Sequence, residues 1–326
     1  MKQIILEAPG RFSEREADPP ATPPGHALVR IERVGVCGSD FHAFSGRHPI
    51  YTYPRIIGHE LAGVVVEAPV NDRMIRGGDR CAIEPYLTCG TCRACLQGRN
   101  NCCERLRVLG IHVDGGLQEF LPVPVDLLHK STSLSLDQLA LVETLGIGAH
   151  AVDRSGLQAG ESALIVGAGP IGIAVSQFAS ERGAHVHIVE KSAWRRSFVE
   201  QLGYPATESA EERQADVVFD ATGSAGAMGA SLAFVATGGR LVFVGLTRDP
   251  VTIDDSLFHR REITLLASRN SFGLFPRIIR LIEEGRIDTS HWVTDRLALG
   301  EVVSLFQSLP ERKTLIKAIV HVNGSS

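Results

Sequence analysis

The run Ala163-Leu-Ile-Val166, followed by Gly167-Ala-Gly169-Pro170-Ile171-Gly172, constrains this chain more than any other stretch. A short apolar segment that stops at a glycine reads as a buried strand, and PIGIAVSQFASERG after it reads as a helix. Glycines at the junction permit a tight turn and let the backbone approach a pyrophosphate, whose charge the helix N-terminus holds. Glu190 ends the next apolar strand, 18 residues past Gly172. A carboxylate there accepts hydrogen bonds from both ribose hydroxyls and repels a 2′-phosphate. The motif predicts a dinucleotide site built from Gly167, Gly169, Pro170, Ile171, Gly172 and Glu190, with NAD favoured over NADP. Lys191, Arg195 and Arg196 follow at once. They read either as positive charge near the cofactor, Arg195 being taken as a contact, or as an exposed helix face.

The alternation extends from Ala163 to about Ser271. ALIVGAG, HVHIVEK, DVVFDATG, RLVFVGL and EITLLAS are strand-like, with AWRRSFVEQLG and AGAMGASLAFVATGG as helical stretches among them. Apolar strands alternating with helices predict a parallel sheet covered on both faces. Only about 25 residues, one helix included, separate HVHIVEK from DVVFDATG, room for a minimal crossover. Residues 26 to about 140 differ. HALVRIERVGVCG, LAGVVVEA, DRCAIEP, GGLQEFLPVP and VDLLHK are short β-like runs between turn formers, as in a barrel-like fold. FPRIIRLIEEGRI and LGEVVSLFQSLPER are helix-like, and KAIVHV reads as a last strand.

With 326 residues, 44% hydrophobic and 21% charged, the chain suits two globular domains rather than a disordered segment. A net charge of −4 and a pI near 6.3 give no basic footprint for nucleic acid. The long uncharged run Ser162 to Ser180 is broken by glycines and Pro170, so no membrane span is expected. Glu7 follows the first few residues without an apolar core, so no signal peptide is expected and the cytoplasm is the predicted location.

Seven cysteines are clustered rather than spread, which in a chain of this size points to metal or catalysis. Cys89, Cys92, Cys95 and Cys103 place four soft anionic ligands in one loop, the pattern of a closed tetrahedral zinc site. The bland reading is a set of buried reduced thiols. Cys102 competes with Cys103 for the fourth position, which spacing gives to Cys103, and Cys81 in DRCAIEP reads as a small buried hydrophobe. A second constellation comes from two separate segments, Cys37, Ser39, Asp40 and His42 in VGVCGSDFHAFSG and His59 and Glu60 in RIIGHELAG. One Cys and one His beside a carboxylate fit an open catalytic zinc. Alone, each is more often a core or surface residue.

Taken in order, CGSDFH, GHE, GGDR, CGTCRACLQGRNNC ending at Cys103, VETL, GAGPIG and DATGS resemble the zinc-dependent medium-chain dehydrogenases over essentially the whole chain. The resemblance implies a GroES-like catalytic domain over residues 1–145 and 272–326, with a Rossmann NAD-binding domain inserted at 146–271. It implies two zincs per chain. The catalytic one would be held by Cys37 and His59, with Glu60 as a ligand that comes and goes and Glu143 as the further ligand of the sorbitol-dehydrogenase-like branch. That branch has Glu-Pro where this chain has Glu143-Thr144. The resemblance also assigns proton relay to Ser39, then the cofactor ribose, then His42, and Asp40 is expected to orient His59.

Within the family, FHAFSGRHPIYTYPRIIGHE, GRNNCCE, GIHVDGGLQEFLPVP and FHRREITLLASRN resemble the L-galactonate and L-gulonate 5-dehydrogenase branch. The implied reaction is hydride transfer between NAD and a secondary alcohol of a sugar acid or polyol, with simple alcohols as the alternative. A non-catalytic dinucleotide sensor is the competing class. Arg269 and Asn270 are candidates for a substrate carboxylate, with Arg47 and His112 behind them. A small molecule is the expected partner, without nucleic acid or membrane, and a homodimer or homotetramer is the expected assembly.

Overall fold

A computed structural model describes residues 1–48, 50–210 and 213–323. They form two compact units. One comprises Met1–Glu143, Phe275–Glu284 and Thr289 onward; the other comprises Thr144–Leu274 and Gly285–Asp288.

The first unit is built on a seven-stranded sheet. His26–Gly35 lies between Lys317–His321 and Glu60–Glu67, and Phe120–Pro124 also pairs with it. Arg80–Ile83 and Leu128–Lys130 continue one side, and Val293–Ala298 closes the other. All pairs are antiparallel except Val293–Ala298 with Lys317–His321. Alternation in the longest strand sets the faces: Ala27, Val29 and Ile31 are fully buried in a core shared with Leu61, Val65, Ile83 and Val123. The C-terminal strand is apolar except for Lys317 and His321, and both are buried.

The second unit is a six-stranded, wholly parallel sheet in the order Ala206–Thr207, His185–Val189, Ser162–Val166, Ala215–Asp220, Val235–Phe243, Thr264–Ala267. Numbered by sequence, that is 3-2-1-4-5-6, the doubly wound Rossmann order, whose switch point lies between the first and fourth strands. The glycine turn sits there. Gly167 has φ +99°, open to glycine without strain, and its N–H donates to Val189 O at 2.8 Å. Gly169 caps the helix Pro170–Glu181, and Pro170 takes the first position, where a missing N–H costs nothing. A Cβ on Gly172 would stand 1.8 Å from Gly167 O.

Two local expectations are corrected. AGAMGASLAFVATGG is not one helix: helix Ala225–Ala230 passes into a 3-10 turn, Ser231–Phe234, and VATGG belongs to the strand from Val235. Gly238 at φ +75° and Gly239 fall where the register shifts, a bulge that glycine permits and a helix disfavours. In VDLLHK only Leu128–Lys130 is strand, since Val125–Leu127 forms a 3-10 turn. The hairpin Lys2–Ala8 with Arg11–Glu16 and the 20-residue helix Leu136–Ser155 had no sequence counterpart above. That helix has so many apolar positions that no clear stripe marks it. No helix among the described residues is long and apolar enough to cross a membrane.

Gly172→Ala is expected to cost about 1–3 kcal/mol, the usual range for an overpacked site, because the atom in its way is backbone. Chemical denaturation, together with weakened dinucleotide binding, checks this.

Candidate metal centres and nucleotide site

Cys37 lies just past the strand His26–Gly35, at the N-cap of helix Gly38–Phe44. Its N–H donates to Asp40 Oδ2 at 3.0 Å, so the helix start fixes thiol and carboxylate together. Asp40 Oδ1 is 3.5 Å from His59 Nδ1, a buried nitrogen with no hydrogen-bond partner. Asp40 thus faces Nδ1, while Nε2 is 3.4 Å from Ser39 Oγ. Burial pulls the His59 pKa down, but the nearby Asp40 carboxylate and Cys37 sulfur outweigh it and raise the pKa well above the ordinary value. His42, on the same helix, is exposed.

His59 follows Gly58, at φ +97°, in a segment pinned from behind by the loop 108–116. Gly115 N–H donates to Ile56 O at 2.7 Å and Gly116 N–H to Gly58 O at 3.0 Å. The approach is so close that a Cβ on Gly115 would lie 2.1 Å from Gly58 O.

Glu60 starts the strand paired with His26–Gly35, opposite Gly35. A Cβ on Gly35 would stand 2.1 Å from Glu60 Oε2, so glycine makes room for the carboxylate. Both Glu60 oxygens accept from Lys317 Nζ at 2.7 Å, and both side chains are about 2% exposed or less. Burial opposes the Lys317 charge, yet Glu60, Cys37 and Glu143 together raise its pKa.

Cys37, His59 and Glu60 each offer a ligand atom within 4.8 Å of the others. Glu143, on helix Leu136–Ser155, lies outside that cluster, but the charges of His59 and Glu60 act on it. Burial raises its pKa and Glu60 adds to the effect, while His59, Tyr86 and Lys317 oppose it; Tyr86 Oη donates to its Oε1. A soft thiolate, an imidazole and buried carboxylates facing a single lysine fit a divalent cation such as zinc.

The four-cysteine loop is a separate group. Its Sγ separations are 3.5 Å for Cys92–Cys95 and Cys89–Cys103, and 4.0 Å for Cys89–Cys95 and Cys92–Cys103. Four sulfurs about 2.3 Å from a tetrahedral zinc stand about 3.8 Å apart, so the loop is already shaped for the ion. The N–H of Thr91, with further help from Cys92, holds the Cys89 thiol down at about 5. Burial and the neighbouring thiols push Cys95 up to about 12. Cys102 ends the 3-10 turn Asn100–Cys102 and stays outside the group, and Cys81 is fully buried in a strand.

In the nucleotide unit, Glu190 Oε2 accepts from Ala168 N and Oε1 from Ser192 N, each at 2.8 Å. The carboxylate is therefore fixed against the glycine turn. Arg195 Nη1 is 3.7 Å from where a Gly169 Cβ would be. Arg196 instead donates to the carbonyls of Glu190 and Lys191 at 2.7 and 2.8 Å. Arg269 is exposed and Asn270 has φ +49°, both in the segment after strand Thr264–Ala267 of this unit.

Lys317 and Tyr86 were not singled out from sequence. Lys317 left a signal: a lysine inside the apolar run LIKAIVHV needs a buried partner if that run is a core strand. Tyr86 left none.

A β unit holding a thiol–imidazole–carboxylate cluster, in one chain with a Rossmann unit, is the make-up of a dinucleotide-linked oxidoreductase. Residues 23–133 match the alcohol dehydrogenase GroES-like domain, and residues 170–284 match the zinc-binding dehydrogenase family. L-galactonate-5-dehydrogenase of Escherichia coli strain K12 is 35% identical, covering 98% of each chain. D-altritol 5-dehydrogenase of Agrobacterium fabrum is 32% identical over 97% of this chain and 98% of its own. A zinc-binding dehydrogenase of Sinorhizobium meliloti 1021, solved with NADP, superposes with a TM-score of 0.92 at 31% identity, covering 98% of this chain and 99% of its own. The chain belongs to the zinc-binding alcohol dehydrogenase family, with a GroES-like and a Rossmann domain and a nicotinamide dinucleotide as the family's cofactor.

Lys317→Met is expected to destabilise the metal-free protein by about 3–5 kcal/mol, because it strands a buried carboxylate, with Lys317→Arg recovering part of the loss. Urea unfolding of chelator-treated samples measures both.

Proposed function

We propose that this protein is a zinc-dependent dehydrogenase that passes a hydride between NAD and a secondary alcohol of a sugar acid or polyol of the L-galactonate kind. The observation that carries the reading is the cluster of half-buried Cys37 with buried His59 and Glu60, with Asp40 facing the ring nitrogen of His59. Cys37, His59 and Glu143 would hold the catalytic zinc, with Glu60 kept close by Lys317. Cys89, Cys92, Cys95 and Cys103 would hold a structural one.

When bound, zinc lowers the pKa of a hydroxyl it polarises and the nicotinamide accepts the hydride. The chain's own residues do the rest. Asp40 fixes the His59 ring, which leaves Nε2 to ligate. Ser39 Oγ, 3.4 Å from that nitrogen, is both donor and acceptor and takes the alcohol proton. Exposed His42 passes it to solvent. Arg269 and Asn270 are assigned to the substrate carboxylate, for which a guanidinium offers two parallel donors. The substrate class rests on the Escherichia coli relative, whose name carries the sugar acid L-galactonate, and the Agrobacterium relative, whose name carries the polyol D-altritol. The same reading has the protein act in the cytoplasm as a homodimer or homotetramer.

NAD is preferred because each Glu190 oxygen keeps a lone pair after accepting one backbone N–H, which serves the ribose hydroxyls and repels a 2′-phosphate. The Sinorhizobium relative was solved with NADP, so the choice needs its own test. Glu190→Ser is expected to lower kcat/KM with NAD by about 10–100-fold, the worth of a hydrogen bond to a charged group, and with NADP by less. Equal losses with both cofactors would remove Glu190 from discrimination.

The activity itself is tested by dinucleotide reduction across hexonates, polyols and simple alcohols, with zinc counted on the same sample. Two zincs per chain and turnover of a hexonate are expected, with Arg269→Ala raising KM for the acid more than for the matching polyol. Turnover of simple alcohols alone would overturn the substrate class.

A further inference from the structure

Tyr86 belongs to both metal centres. It lies three residues before Cys89 on the short strand Tyr86–Leu87, opposite Val108 of Arg107–Val108. Its side chain is 2% exposed and packs with Cys103, Leu106 and Val108, the small core behind the four thiols, which Cys89, Cys92 and Cys95 also line. The hydroxyl points out of that core and donates to Glu143 Oε1, on a helix 57 residues further along the chain. A rigid ring therefore carries the packing of the four-cysteine loop to one oxygen of a carboxylate on which the charges of His59 and Glu60 act.

We propose that Tyr86 is a positioning residue that fixes Glu143 for the catalytic metal and ties it to the four-cysteine loop, so that loosening the loop weakens metal binding at Cys37 and His59. The inference rests on the reading of Glu143 as a ligand of that metal. A carboxylate with one oxygen pinned presents the other in a single direction. A carboxylate without that bond rotates, and the entropy of fixing it falls on metal binding. The tyrosine hydroxyl can fix it only while its ring is fixed, and the ring is held by the loop's own core. The shape of the thiol loop thereby becomes a condition for the catalytic centre, a role beyond local stability.

The test uses cobalt(II) as the probe, because a four-thiolate site and a one-thiolate site absorb differently. Each is titrated against a competing chelator in the full-length protein. Tyr86→Phe keeps the ring and removes one oxygen. It is expected to weaken catalytic-site cobalt by about 10–100-fold and change its visible absorption, with the four-thiolate site unaltered. Val108→Ala loosens the loop core from the other side. Catalytic-site affinity is expected to fall several-fold when Tyr86 is intact and not at all in the Tyr86→Phe background. Glu143→Gln separates the two layers of the argument. If it binds catalytic cobalt as tightly as the parent, the ligand reading fails, and the proposal with it. If Glu143→Gln loses affinity and Tyr86→Phe does not, the ligand reading stands and the role of Tyr86 is overturned. A Val108→Ala effect that is absent, or that persists without the hydroxyl, overturns the link to the loop.

Discussion

The pair Lys317–Glu60 is the constraint on which the catalytic half of the molecule turns. Two charges at 2.7 Å, almost wholly withdrawn from water, gain little net stability over an apolar pair of the same size, because desolvation of each ion offsets their attraction. Their value is positional. Separated by 257 residues, they meet only when the last strand of the chain has paired with His26–Gly35, after the whole nucleotide unit has been traversed. Gly35 belongs to the same device, since any side chain there would occupy the space of the Glu60 carboxylate. A chain that has not returned to its first sheet therefore has an uncompensated carboxylate where the metal ligands should gather.

Charge balance carries the argument from this pair to the site. Lys317 answers Glu60, but the same region holds Asp40, the Cys37 thiol and Glu143, whose acidity burial has weakened. Polar groups this deep are tolerated where something satisfies them, and a surplus of anionic groups beside a single lysine is what a bound cation would meet. The His59 ring shows the same logic. Its inner nitrogen lies near the Asp40 carboxylate and has no other partner, an arrangement that makes sense when the outer nitrogen is committed to a positive ion. The four-cysteine loop solves a simpler problem. Its four cysteines lie within 15 residues, and the sulfurs stand at tetrahedral separations without help from distant strands.

That contrast explains what sequence could disclose. Cys89, Cys92, Cys95 and Cys103, the glycine turn and Glu190 are legible because spacing along the chain fixes their spacing in space. Cys103 rather than Cys102 joins the group because the 3-10 turn Asn100–Cys102 ends one residue before it. Cys37, His59 and Glu60 could be nominated only as fragments, because their approach depends on strand pairing. Lys317 and Tyr86 act through long-range contacts, and for Tyr86 no residue pattern marks the partner. The misassigned VATGG shows a different limit: small residues in a helical neighbourhood imitate a helix, and burial of Val235 in a parallel strand decides otherwise. Helix Leu136–Ser155 fails for the opposite reason, with too little polar contrast to reveal a period.

The nucleotide turn obeys the same economy on a smaller scale. Glu190 is held by two backbone N–H groups before any ligand arrives, so binding a ribose does not have to order it. Arg196, one of three cations that sequence offered as positive charge near the cofactor, is instead spent on the carbonyls of Glu190 and Lys191 and braces the strand end that carries the carboxylate. Arg195 alone of that basic group reaches toward Gly169. Arg196 therefore holds the backbone on which the carboxylate sits, while the carboxylate itself is oriented by the N–H groups of Ala168 and Ser192.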